Sequence, residues 1–492
     1  MKNIKVKLNS QEYRDKVYAC WLGKNIGGTM GGPYEGTKDI LDVKGFATEA
    51  GTPLPNDDLD LQLVWLHAVE QLGLGAIKAP ILGEFWLSFI PPHWNEYGIG
   101  KANMRRGLIP PLSGDYNNDW QHSNGAWIRT EIWASLAPAC PALAARFSVE
   151  DAKVDHGSGE GTYAAAFVAA MQSAAFASTE LRDCIDVGLS VIPDDCRMAD
   201  SVRFTLQCYD NGIDPIETRD LIQKRNADIG NGWFEAPSNV CYALIGLLWG
   251  KGDFKRSMIY AINCGDDTDC TAATVGATLG ILGGTAAIPS DWKAHIGDDI
   301  ITISVNRGDV CRKIPYTCTE LTDRVVAQTP HILFASGAEV ELTEGNTEIC
   351  GYTVADMKTA CASSDIASGI KPHSMRFDFP LLSAEVVLDR SPDISPNEEI
   401  KVSLTCYNNY TVFDKAQYGL TMRWWLPEGF SFSGKQTVCM PRPSSRRDPK
   451  ARCYSEFTLK AGETVAPTNC CVLEISCEGR ITPMYIPIKL LG

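Results

Sequence analysis

The chain of 492 residues shows no apolar leader: Met1 to Lys16 is polar and carries four lysines and one arginine. Its most apolar stretch, Ala164 to Ala177, is interrupted by Gln172 and Ser173, so it reads as a buried helix too short to span a membrane. A surplus of positive charge is also missing. Lys+Arg 45 against Asp+Glu 60 gives a net charge of −15, which argues against a broad nucleic-acid binder. The eighteen cysteines include no CxxC pair and no Cys/His zinc spacing. Scattered from Cys20 to Cys477, they read as reduced, mostly buried thiols of a cytoplasmic protein, with disulfides open only around Cys470, Cys471 and Cys477. No GxSxG elbow and no HExxH motif occur. Gly23-Lys24-Asn25-Ile26-Gly27-Gly28 lacks the order of a phosphate-binding loop, and the GxxxG of Gly27 to Gly31 reads as a close-packing or turn device.

What is present is a soluble, globular composition, 45% hydrophobic and 21% charged, long enough for two or three domains. Up to about Gly284 the apolar residues recur with helical spacing. The segments are Tyr13 to Gly23, Leu59 to Leu72, Gly161 to Ala177, Met198 to Tyr209, Ser238 to Trp249 and Cys270 to Leu282. Beyond about Thr329 the period becomes two, in Ala384–Asp389, Glu399–Cys406, Gly419–Trp425, Tyr454–Leu459, Cys471–Cys477 and Met484–Leu490. The expectation is a multi-domain α plus β chain: an all-α helical bundle over 1–328, then an antiparallel β-sandwich of immunoglobulin-like type over 329–492. The basic loop Arg442 to Arg452 reads as a solvated hairpin.

Two acidic clusters each precede an apolar helix. They are Asn56-Asp57-Asp58-Leu59-Asp60 and Asp266-Asp267-Thr268-Asp269. A helix N-terminus needs only one capping carboxylate, whereas several crowded together repel one another, and a divalent cation relieves that repulsion. All-oxygen donors suit a hard ion such as Mg²⁺. From spacing alone, a metal centre and two separately capped helices both stay open. The five tryptophans Trp86, Trp94, Trp120, Trp127 and Trp133 read either as core or as stacking surfaces for a base or sugar.

One order of motifs resembles the ADP-ribosylglycohydrolase family. It runs Gly31-Gly32-Pro33-Tyr34-Glu35-Gly36, Asn56-Asp57-Asp58, Ser123-Asn124-Gly125-Ala126 with Arg129, His156 with Tyr163, and Gly265-Asp266-Asp267-Thr268-Asp269-Cys270. The resemblance spans roughly residues 10–300. It implies a helical bundle holding two Mg²⁺ ions and a glycosidase that releases ADP-ribose from a protein or small acceptor. On that resemblance the metal ligands are Asn56, Asp57, Asp58, Asp267, Asp269 and Cys270, and the catalytic groups are Glu35, Asp58 and Asp267. Ser123, Asn124, Gly125 and His156 would line the ribosyl substrate. The chain departs from the family at Asn56, Leu59 and Cys270, where threonine is usual. Those departures motivate an alternative substrate, a nucleoside or other glycoside of a catabolic pathway. A non-catalytic, crystallin-like binding relative is the alternative from outside enzymology. Neither nucleic acid nor membrane is an expected partner, and oligomeric state is not readable.

Overall fold

The structure, a computed structural model, describes residues 4–305, 314–409, 417–441 and 451–492. Most of the basic loop, 442–450, lies outside the described residues. All six helical segments read from periodicity are helices. The stretch Glu160–Ala174 is buried on nearly every side, as its mostly apolar, Ala-rich composition requires. Among the described residues one helical run, 268–287, is long and apolar enough to cross a membrane, and it too is largely buried.

Two helices set the position of everything that follows. Helix α1 (Ser10–Gly31) and the helix Thr268–Gly283 pack along almost their whole length. Gly23, Gly27 and Gly31 face Gly276, Ala272 and Thr268, and a methyl group on any of the three would overlap the opposite backbone. The spacing of four keeps these glycines on one face of α1, so the two backbones meet directly. The Thr268 hydroxyl donates to the Gly31 carbonyl at 2.8 Å and locks the register. The acidic start of the 268–283 helix is thereby held beside the end of α1, next to helix α2 (Asp57–Leu72).

The helical unit also contains a small sheet that the helical periodicity hides. Strand β1 (Val6–Asn9) lies between β2 (Val340–Thr343), parallel to it, and β3 (Glu348–Ile349), antiparallel. Residues 329–370 therefore group with the N-terminal part of the chain: one compact unit comprises 1–101 and 117–370, the other 102–116 and 371–492. The second unit is an antiparallel sandwich. One sheet has the order Ser374–Asp378, Leu382–Leu388, Glu399–Asn408, Arg452–Lys460, Ser431–Gly434. The other runs Met484–Leu491, Thr468–Cys477, Tyr418–Trp425, Thr437–Met440. The six alternating segments are strands; the three additional ones are short edge strands, too brief to show a period. Every described cysteine is unbonded, so no described disulfide joins the two sheets and the immunoglobulin-like detail finds no support there. Leu108, Leu112 and Tyr116, from the inserted segment 102–116, are buried in the sandwich core with Val386, Leu404 and Ile488.

Candidate metal and active site

The first acidic cluster begins as an ordinary helix start. Asn56 is the N-cap of α2: its side-chain oxygen accepts from the Asp58 N–H at 2.7 Å, and its carbonyl accepts from Asp60 N–H at 3.2 Å. Asp60 points to a structural task, accepting from the backbone N–H groups of Ile303 at 2.6 Å and Ser304 at 2.7 Å. Asp57 and Asp58 are surplus to capping. Asp57 accepts from the Tyr97 hydroxyl at 3.0 Å, and the fully buried Asp58 accepts from the Cys270 thiol at 3.2 Å.

The second cluster divides in the same way. Gly265 and Asp266 are consecutive left-handed residues, at φ 75° and 64°. A side chain at Gly265 would strike the Asp39 and Thr37 carbonyls, so this turn needs glycine. Asp266 is used internally, accepting from Phe234 N–H at 3.1 Å and from Asn239 Nδ2 at 3.0 Å. The turn leaves Asp267 and Asp269 facing the first cluster. Backbone bonds of Gly36 N–H to the Asp266 carbonyl (2.8 Å) and of Asp266 N–H to the Thr37 carbonyl (2.6 Å) hold the Glu35 loop over them.

Two groupings result, each with its donor atoms within 4.8 Å of one another: Glu35, Asp267 and Asp269, and Asp58, Asp269 and Cys270. Asp269 belongs to both. Oδ1 of Asp267, Oδ1 of Asp269 and Oδ2 of Asp58 are buried with no hydrogen-bond partner. Unpartnered carboxylate oxygens are costly unless a cation compensates them, so the donor set fits a divalent ion.

Electrostatics agree. The charge of Asp269, then burial and Asp57, push the Glu35 carboxyl up to about 8. Burial and Asp269 push Asp57 up to about 6. Burial raises Asp58, Asp267 and Asp269 as well, with mutual repulsion adding to it at Asp58 and Asp267. A pH dependence follows for the metal-free protein. Between the ordinary carboxylate range and these raised values the folded chain binds more protons than the unfolded one, so stability is greatest at acid pH and falls as pH rises. Asp57 completes its loss above about pH 6 and Glu35 above about pH 8. Asp57 alone accounts for about 3 kcal/mol. Melting curves of chelator-treated protein from pH 4.5 to 8.5 should show a falling Tm that added Mg²⁺ largely restores. A Tm that stays flat or climbs would contradict the repulsion.

The residues read as substrate-lining stand next to this centre. Asn124 donates to Asp267 Oδ2 at 2.6 Å and accepts from Trp127 Nε1 at 2.8 Å. Ser123 Oγ lies 3.2 Å from His156 Nε2, and His156 Nδ1 is 2.9 Å from Asp155 Oδ1. His156 is fully buried, and a Cβ on Gly125 would run into Glu96. Sequence reasoning named Arg129 in the motif order but gave it no role. Arg129 reaches Asp151 at 3.0 Å, Asp155 at 2.8 Å and the Gly125 carbonyl, and is fully buried. Burial alone would raise Asp155, but Arg129 and His156 hold its carboxyl below the usual range. The grouping of Glu96, Asp155 and His156 is thus already countered by a fixed cation. Of the five tryptophans, Trp86, Trp127 and Trp133 are core, Trp120 is half-buried and Trp94 is exposed.

The sequence model of ADP-ribosylglycohydrolases matches residues 9–328, well over half of the chain and the whole of this centre. The chain belongs to the ADP-ribosylglycohydrolase family. Members are metal-dependent glycosidases, typically dinuclear, that act on ADP-ribosylated substrates, so this member is a glycosidase by family. No curated protein matches the chain. Among solved structures it is similar to an ADP-ribosylglycohydrolase-related protein complex, at 18% identity and TM-score 0.42, over 65% of this chain and 99% of that one. Looser overlaps join it to a FixG-related protein from Vibrio parahaemolyticus (12% identity, TM-score 0.18, 23% of this chain and 97% of that one). The GAE domain of GGA2p from Saccharomyces cerevisiae overlaps similarly (14%, 0.17, 24% and 96%). Overlaps this loose say nothing about activity.

Proposed function

We propose that this family member is a Mg²⁺-dependent hydrolase that cleaves a ribosyl glycosidic bond, releasing ADP-ribose from a modified protein or small acceptor. The observation that supports it most is the convergence of Glu35, Asp57, Asp58, Asp267 and Asp269, with buried carboxylate oxygens left unpartnered, inside the region the family model matches. A bound divalent cation supplies Lewis-acid polarisation of oxygen atoms. Glu35, Asp267 and Asp269 would hold it, with Asp57 at their side.

The chain's own residues supply the rest. Glu35 is the exposed member of the set and would take the proton of an attacking water at its carboxylate. Positive charge that develops at the anomeric carbon meets the negative field of the buried aspartates. The Ser123–Gly125 turn and His156 would line the ribosyl group, and the Asn124 amide, bonded to Asp267, would fix the orientation of that carboxylate. The nucleoside or other glycoside reading draws on Asn56, Leu59 and Cys270, the three positions that depart from the family's threonines.

The test is product release from ADP-ribosyl-arginine, ADP-ribosyl-serine and a nucleoside panel, with Mg²⁺ and with chelator. Release of ADP-ribose from an ADP-ribosyl acceptor, lost on chelation, is the expected result. Turnover of nucleosides alone would overturn the substrate and leave the enzyme class standing.

A further inference from the structure

A lysine lies behind the metal-ligand carboxylates. Lys24, in the middle of α1, is fully buried, with its Nζ 3.2 Å from Glu131 Oε2 and 3.7 Å from Asp58 Oδ2. Glu131 is fixed in turn, accepting from Gln62 Nε2 at 2.9 Å and Gln172 Nε2 at 3.1 Å. A buried ammonium persists only where negative groups compensate it, and here one of those groups is a carboxylate of the acidic centre.

The two groupings of donors are consequently unequal. In the outer one, Glu35 is exposed, and Asp267 and Asp269 each keep an unpartnered oxygen. In the inner one, Asp58 Oδ1 accepts from the Cys270 thiol, and Oδ2, which has no hydrogen bond, faces the Lys24 ammonium at 3.7 Å, so a fixed positive charge already stands where an ion would sit. Cys270 itself offers sulfur, a poor donor to a hard ion. A divalent cation among Asp58, Asp269 and Cys270 would lie a few ångströms from a positive charge that cannot move into water.

We propose that Lys24 is a built-in countercharge standing in for a second cation, so that this chain binds a single divalent ion, at Glu35, Asp267 and Asp269. The inference rests on the metal reading above and departs from the paired ions typical of the family. Lys24 acts through Asp58 and is a positioning residue.

The probe is Mn²⁺, added to the full chain after chelator treatment and counted by equilibrium dialysis, with electron paramagnetic resonance reporting whether bound ions are coupled. The unaltered protein should take up one Mn²⁺ per chain with an uncoupled spectrum. Lys24→Met combined with Glu131→Gln removes both charges of the pair together, and should admit a second, exchange-coupled Mn²⁺. Two ions in the unaltered protein overturn the inference, as does an unchanged count of one in the folded double variant. Co²⁺ gives a reading that needs no variant: a sulfur-to-metal charge-transfer band in the unaltered protein would place an ion against Cys270 and overturn it too. No Mn²⁺ in any form sinks the metal reading itself, a failure distinct from a count of two.

Discussion

Asp269→Asn should abolish divalent-ion binding and lower hydrolysis about a thousand-fold, a rise of ~4 kcal/mol in the barrier. Asp269 is the residue shared by both donor groupings, and one of its oxygens is buried without a partner. The amide keeps the side chain's shape, so the 268–283 helix and its packing on α1 should be spared. Metal-free, the variant should be more stable than the unaltered protein, by about 1–3 kcal/mol, because one charge has left a mutually repelling set. Calorimetric titration with Mg²⁺ beside one melting curve checks both halves. Unaltered affinity would mean that the acidic clusters serve as helix caps and nothing more.

Arg129→Met should cost about 3–5 kcal/mol of stability, the range for removing one partner of a buried ion pair. Asp151 and Asp155 would be left buried, with only Trp133 Nε1 at 3.0 Å from Asp151 and His156 beside Asp155 in compensation. The Gly125 carbonyl would also lose its donor, which loosens the turn carrying Asn124. Urea denaturation measures the effect. A change below about 1 kcal/mol would show that the aspartates accept protons readily and that the arginine is dispensable.

Arg129 also shows where the sequence stops being informative. Asp57, Asp58, Asp267 and Asp269 were legible because adjacent or alternating carboxylates at a helix start exceed what capping needs. Long helices and strands were legible because burial on one face leaves a period in the chain. Lys24 and Glu131 were not: they stand more than a hundred positions apart, and a lone lysine in a helix pattern looks like a solvent-facing residue. The division of labour within each cluster was equally hidden. Asp60 and Asp266 match their neighbours in type, yet their partners, Ile303 and Ser304 for one and Phe234 and Asn239 for the other, come from distant loops. The short β1–β3 sheet escaped because its strands are two to four residues long, too brief for alternation to register.

The segment 102–116 has a consequence for how the chain is made. Leu108, Leu112 and Tyr116 belong to the core of the sandwich, but every strand of that sandwich comes after residue 370. On a ribosome adding roughly 5–20 residues per second, these side chains wait on the order of tens of seconds for the strands that cover them. Throughout that interval the nascent chain displays an apolar patch that its own helical unit does not supply a core for. Chaperone dependence during synthesis should therefore concentrate on this stretch, and replacing Leu108 and Leu112 by polar residues should reduce chaperone capture of stalled chains while weakening the finished sandwich.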